Sequence, residues 1–459
     1  MRPTALRLSQ FVLFVFATYC YAQQTSTLPS AAASIPHSLS LFEAEQLLVQ
    51  RSLLISASRS QLAASEAARR IAGFKPNPQL QIGMEQVPFR SPVPDSVPRF
   101  FATNGNAGAN PVYTAQFSKL FERGGKREMR MRQADAQVGV ALAQIDDTLR
   151  NQRFALRQAF GNALLARDNL RIATEIDGQY AKTEDLTSVR VKAGDLPGIE
   201  LYRLQAGRLQ FQQAVIDAQN SYEQASRDLL NVLSGRSEDV LPAIGRSAST
   251  TTGPANDVLQ SAPLIVVGEF SDTTVSDSLE QLKNLARAER PDLKVATANL
   301  QAAEYAVRLA QAQRARDINV ATEYQRVGDD DTLGVVTQIP LFLYNNGKAG
   351  VQQAQAARAV AEAQLHQLEV QVATDVEKAY QSYLAARRSV ALYNTENLKQ
   401  VQKVRDIIDF SYQHGAATLL ELLDAERTVR QATAAYNQAR ANYQLSLWQL
   451  DSAVGRDLQ

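Results

Sequence analysis

The chain has 459 residues with 48 Lys and Arg against 47 Asp and Glu, a net charge of +1. That length allows more than one domain's worth of core, and the charge balance excludes the basic stripe of a nucleic-acid binder. With 3 His, 1 Cys and 1 Trp, and with His37, His366 and His414 far apart, neither a dedicated metal cage nor a cofactor site is expected.

Residues 1–22 read as an export signal. Arg2 and Arg7 precede the apolar run from Phe11 to Ala17, too short for a spanning helix, and Ala22 is the expected last residue before cleavage. Lipidation at Cys20 is the alternative, but Tyr19 stands where a lipoprotein signal has a small residue. Residues 23–38 read as a linker. No later stretch has about 18 uninterrupted apolar residues, so no transmembrane helix is expected.

From residue 39 the chain makes two passes through one plan, a repeat that has to be recognised before the fold is read. Leu41 and Glu66 match Leu279 and Glu304 at 304 − 66 = 238. Gly124-Gly125-Lys126 matches Asn346-Gly347-Lys348 at 348 − 126 = 222, and Gly194 and Glu200 match Gly415 and Glu421 at 421 − 200 = 221. The first repeat (39–235) therefore carries 238 − 222 = 16 extra residues relative to the second (276–459). They fall in the Pro-, Gly- and Asn-rich loop 88–111, expected outside the cell. Its counterpart is the short acidic loop Val327 to Thr332.

Each loop is flanked by strand-like stretches, 79–87 with 112–121 and 318–326 with 333–341. Leu80, Ile82, Met84, Tyr113, Ala115, Phe117, Ile318, Val320, Tyr324, Leu333, Val335, Ile339 and Leu341 alternate with Gln79, Gln81, Glu85, Gln116, Asn319, Glu323 and Gln338. Each run has the length of a tilted outer-membrane strand; two soluble hairpins are the other reading. Four strands cannot close in lipid, because open edges leave unpaired backbone groups. Two chains would give a plugged eight-stranded barrel, and three chains twelve strands and a water-filled pore. Phe121, Phe342 and Tyr344 lie near strand ends as candidates for an interfacial belt, with core packing as the other account.

The remainder reads as long helix. Leu365, Val372, Ala379, Ala386 and Tyr393 recur every seven residues, with Val376, Tyr383 and Val390 four residues after members of that series and Val404 in the same phase two heptads beyond Val390. A single helix from Lys348 to Tyr412 would be on the order of 95 Å long. Residues 236–275 form a small, polar, Pro-broken connector with a short strand at Leu264 to Val267. The overall expectation is a mainly α chain with a small β part.

"GGK" and "NGK" are not phosphate loops. Leu120 and Phe342 stand where the first Gly is needed, and Arg127 and Ala349 where Ser or Thr is needed. Gly124, Gly125, Asn346 and Gly347 are instead read as sharp strand-to-helix turns. No Ser, His and Asp are spaced as a hydrolase would require, and GxSxG is absent, so no catalytic residue is assigned.

At these motifs the chain resembles the TolC-like outer-membrane efflux proteins. "FSKLFERGGKRE" (117–128) and "IPLFLYNNGK" (339–348) look like the strand-to-helix junctions of the CzcC-like, heavy-metal branch, and "YQHGAATLLELLDAER" (412–427) resembles the family's periplasmic tip. The resemblance implies a homotrimer with a twelve-stranded barrel in outer-membrane lipid. A long periplasmic helical tunnel would continue it, its tips meeting a periplasmic adaptor bound to an inner-membrane pump of the RND type. It further implies heavy-metal cations as cargo, with small organic toxins the alternative. A periplasmic adaptor is the rival class; it would carry one helical hairpin with β-rich segments, where this chain has two. At the tip, Ala193, Gly194, Asp195, Gly415 and Ala416 are expected to face the adaptor. Glu421 and Asp424, matching the family's entrance carboxylates, are expected to line the aperture, with Glu200 joining a neighbour's Tyr412. Ala417 stands where some relatives carry a gate-closing Arg.

Overall fold

The computed structural model describes residues 35–85, 112–240, 264–271, 273–328, 330–393 and 395–458. The signal peptide, nearly all of the linker, the loop 88–111 and connector residues 241–263 lie outside them.

Both repeats open alike. α1 (Leu41–Arg51) and α5 (Leu279–Glu289) each have 11 residues and a reciprocal capping box, Ser40 with Glu43 and Ser278 with Gln281. Each runs into a second helix, α2 (Leu53–Ala72) and α6 (Pro291–Ala312). Hairpins follow: β2 (Gln79–Glu85) with β3 (Val112–Phe121), and β5 (Ile318–Val327) with β6 (Asp330–Gln338). The four strands form one antiparallel sheet, β2-β3-β5-β6, with the repeats joined at β3 and β5.

Two expectations at β6 are corrected. The strand begins at Asp330 rather than Leu333, so most of the acidic loop belongs to the ladder, turned at Gly328 (φ +63°). It ends at Gln338, before Ile339, because Pro340 has no N–H to offer a ladder.

The return helices differ in continuity. α3 (Lys126–Ala193) is one helix of 68 residues, on the order of 100 Å, followed by α4 (Gly198–Val232). Its counterpart is divided into α7 (Lys348–Leu392) and α8 (Thr395–Gln413), followed by α9 (Leu419–Val454). The single helix expected from Lys348 to Tyr412 is therefore corrected. Asn397 Nδ2 donates to the Leu392 carbonyl oxygen at 2.9 Å, a side-chain bond competing with the backbone ladder at the break. The heptad seam is buried at Val372, Val376, Ala379 and Tyr383, whereas Val404, beyond the break, is exposed.

A belt around the middle ties the helices together. The expected short strand is present as β4 (Ile265–Val267), and it pairs in parallel with β1 (Ser38–Ser40), a strand the linker reading missed. Tyr222 and Tyr443, matched between repeats, both reach the connector. Tyr222 Oη donates to Leu264 O at 2.9 Å, and Tyr443 Oη to Thr273 O at 2.7 Å.

Candidate functional site

The sheet has two unlike faces. Register places Leu80, Phe117, Thr322 and Val335 in one lateral row and Ile82, Ala115, Tyr324 and Leu333 in the next, on the same face. Most of these side chains are uncovered within the chain, Ile82 being 77% exposed and Leu333 76%, while Tyr324 Oη donates to Asp331 Oδ1 at 2.6 Å. The opposite face carries Gln81, Gln116 and Glu323 in one row. Near its helix-proximal end lies a hollow of about 430 Å³ where Gln79, Ser118, Asn319, Gln338 and Asp317 mix with Pro76, Leu120 and Pro340. Among the described residues both outer strands, β2 and β6, have one unpaired edge. Among the described residues no helix is long and apolar enough to cross a membrane.

At the strand-to-helix junctions, Gly125 and Gly347 take left-handed conformations (φ +69° and +74°) as N-caps of α3 and α7. The preceding residues differ. Gly124 is also left-handed (φ +74°), whereas Asn346 has no positive φ and instead accepts the Lys348 N–H on Oδ1 at 3.1 Å. The junctions are stapled in sheet order. Arg127 Nε donates to Gly73 O at 2.5 Å, Lys126 Nζ meets Asp317 Oδ2 at 2.7 Å, and Arg314 Nε donates to Asn346 O at 3.2 Å. The Lys of "GGK" thus holds a carboxylate of the other repeat.

At the opposite end the two tips repeat one motif. Gly194 (φ +84°) donates to Val191 O and Asp195 N–H to Arg190 O. Gly415 (φ +76°) donates to Tyr412 O and Ala416 N–H to Ser411 O. Both are Schellman closures, which need a left-handed residue where Gly costs least. Ala193, Gly194, Asp195, Gly415 and Ala416 are all exposed, and a Cβ added at either glycine would meet nothing within 4 Å.

The acids beyond the turns have local partners. Glu421 Oε2 accepts from Thr418 N–H at 2.7 Å and Oγ1 at 3.0 Å, closing a capping box at the start of α9. These bonds from the Thr418 backbone and hydroxyl lower the Glu421 pKa, so it stays ionised. Asp424 is exposed, 3.3 Å from Arg427, and Glu200 lies 3.6 Å from Arg203. Glu200 holds the same helix position as Glu421, but Pro197 replaces the capping Thr. The Tyr412 ring is buried within its own chain, in one cluster with Tyr180, Phe211 and Leu422, and its hydroxyl lies 3.2 Å from Thr187 Oγ1. Beside it opens a cavity of about 300 Å³ lined by Leu186, Arg190, Asp409 and His414.

Two buried carboxylates were missed. Glu426, one turn beyond Leu422, lies 3.7 Å from Arg405 Nη1, and burial raises its pKa. Asp451, one turn beyond Leu447, lies 3.2 Å from Arg157 Nη1, and burial raises its pKa to about 6. The available signal was an acid falling on the apolar stripe of α9. Among the described residues there is no group of three or more His, Cys, Asp or Glu that could hold a metal ion.

With this geometry in view, residues 282–456 match the family described as outer membrane efflux protein. Those residues carry the match to that family. The chain is an outer-membrane protein, with its matched domain lying within the second repeat. It is 22% identical to the cobalt-zinc-cadmium resistance protein CzcC of Cupriavidus metallidurans, over 99% of this chain and all of that protein. In fold it is similar to the outer-membrane channel OprN (TM-score 0.69, 16% identity, 91% of this chain and 90% of that one). It is also similar to the channel-forming protein CusC (0.69, 15%, 91% and 92%) and to the MtrE outer membrane channel of Neisseria gonorrhoeae (0.67, 15%, 91% and 89%).

Proposed function

We propose that three copies of this efflux-family chain close their sheets into one twelve-stranded barrel in outer-membrane lipid, continued by a periplasmic helical tunnel. The observation that carries this reading is the four-stranded sheet itself, with an exposed apolar face and two unpaired edges. In lipid each unsatisfied edge group costs several kcal/mol, so β6 of one copy pairs with β2 of the next. Mass measurement of the detergent-solubilised protein should give three chains. A stable monomer that needs no detergent would refute the assembly.

The channel is a passive duct in a tripartite system. Its tips, at Ala193, Gly194, Asp195, Gly415 and Ala416, meet a periplasmic adaptor coupled to an inner-membrane pump of the RND type. Similarity to CzcC supports heavy-metal cations as the cargo. A deletion strain should grow poorly on zinc, cobalt or copper and normally on a drug panel; the reverse pattern would assign small organic toxins.

Glu421 and Asp424 line the aperture where the three tips converge, Glu200 lies at the matching position of the other hairpin, and a narrow acidic mouth draws cations in. The test keeps the helix start intact. Glu421→Gln retains the cap acceptor, as Gln281 does in the equivalent box of α5. Combined with Asp424→Asn, it should lower the cation-to-anion permeability ratio several-fold in planar bilayers. Unchanged selectivity would remove both residues from the aperture.

A further inference from the structure

The segments joining sheet to helices carry an uneven charge. With the strand and helix residues that flank them, Lys119 to Glu128 and Lys348 included, they hold three acidic residues, all paired internally: Glu122 accepts twice from Arg130 at 2.6 and 2.9 Å, Asp317 is held by Lys126, and Glu128 accepts from Arg132 at 2.5 Å. Lys75, Lys119, Arg123, Arg314, Arg316 and Lys348 are exposed and have no carboxylate partner among the described residues. Arg127 adds a seventh cation, bonded among the described residues to the Gly73 carbonyl.

These cations lie at one level. The staples from Arg127 to Gly73, Lys126 to Asp317 and Arg314 to Asn346 hold the four junctions side by side in the order of the strands. Aromatics share the level. Register puts Lys119 on the apolar face between Phe117 and Phe121, its ammonium 5.5 Å from the Phe121 ring centre. The Arg316 guanidinium sits 5.5 Å from the Phe342 ring, Phe74 is 67% exposed and Tyr344 wholly so. The far end of the same sheet has the opposite sign, with Glu85, Asp330 and Asp331. An apolar band edged by aromatics and by long cationic side chains has the chemistry of a membrane interface.

We propose that this junction collar binds the phosphate headgroups of anionic phospholipids in the leaflet nearest the helices, fixing the depth and polarity of the sheet in the bilayer. The inference rests on the outer-membrane reading of the sheet and adds a chemical preference to it. The anion is a lipid because the cations edge an apolar, aromatic face; a free phosphate would gain nothing from Phe74, Phe121 or Tyr344.

The test uses the full chain in detergent, with bound lipids counted by native mass spectrometry. Phosphatidylglycerol should be retained over phosphatidylcholine, and the preference should shrink as salt rises. Each cation near a charged surface contributes about fivefold to binding. Lys119→Gln, Arg316→Gln and Lys348→Gln together should therefore reduce the preference on the order of a hundredfold. Lys399→Gln with Lys403→Gln, on α8 far from the sheet, should leave it unchanged. Inorganic phosphate should compete poorly; effective competition would make the collar a free-anion site and overturn the proposal. Equal retention of both lipids by the wild-type protein, or an unchanged preference in the triple variant, would also overturn it. The wild-type salt dependence decides if the triple variant does not assemble. Failure to insert into vesicles of either composition would instead count against the outer-membrane reading.

Discussion

Gly124→Val is expected to abolish assembled channel in the outer membrane, whereas Gly125→Asn, one residue on, should leave it nearly intact. Both glycines are left-handed, at φ +74° and +69°. Their surroundings differ. A Cβ on Gly124 would stand 2.4 Å from the Ala315 Cβ and 3.0 Å from the Ala312 carbonyl oxygen, while one on Gly125 meets nothing within 4 Å. Ala312 ends α6 of the other repeat, so the added atoms would push apart the junctions that Lys126 and Asp317 hold together. Left-handed backbone costs a β-branched residue about 1–2 kcal/mol, and overpacking adds about 1–3 kcal/mol. A sum of about 2–5 kcal/mol takes much of the stability of an ordinary domain. At position 125 Asn tolerates the conformation and no contact is strained. Heat resistance of the oligomer and its yield in the outer-membrane fraction read the difference. Equal behaviour of the two variants would show that the close approach at Gly124 carries no weight.

This contrast marks what the sequence could tell. The strand pattern was legible because alternation depends only on residue order, and the register reproduces it from Leu80 to Val335. The repeat was legible through its turns, since a left-handed position selects Gly wherever the chain must reverse. What the sequence hid was context. Gly124 and Gly125 look alike as letters, and only Ala315 behind one of them separates their roles. The division between α7 and α8 falls at a short run holding two Asn and a Thr, where Asn397 bonds the Leu392 carbonyl, inside a stretch with no Pro or Gly to announce a break. β1 was hidden because a three-residue strand has almost no pattern, and its partner β4 lies more than 200 residues away. At the tips the motif was legible and the partners of its side chains were not. Thr187, which meets Tyr412 at 3.2 Å, comes from the other repeat.

The wild-type chain should also lose stability relative to an Asp451→Asn variant as pH rises from about 4 to about 7. Asp451 is 4% exposed on α9, and burial raises its pKa from 3.8 to about 6. Arg157 counters this only weakly. Its shorter bonds, 2.7 Å each, go to Glu45 and Asp457, leaving Asp451 a contact at 3.2 Å. The Leu458 N–H at 3.1 Å also favours the ionised form but does not offset burial. The folded chain therefore holds a proton at Asp451 between about pH 4 and 6 that the unfolded chain has released. Because the folded pKa is the higher one, the stability this proton contributes is complete below the unfolded value and is lost as pH rises through the folded value. A shift of about two units corresponds to about 3 kcal/mol. Asn is neutral throughout and keeps an acceptor for the Leu458 N–H. The variant should therefore melt higher than the wild-type protein at pH 7.5, and the gap should narrow toward pH 5. Glu426, also raised by burial, contributes a slope of the same sign in both proteins, so the difference between their melting curves isolates Asp451. Parallel curves across this range would mean that Asp451 is ionised in the folded channel and that Arg157 compensates it fully.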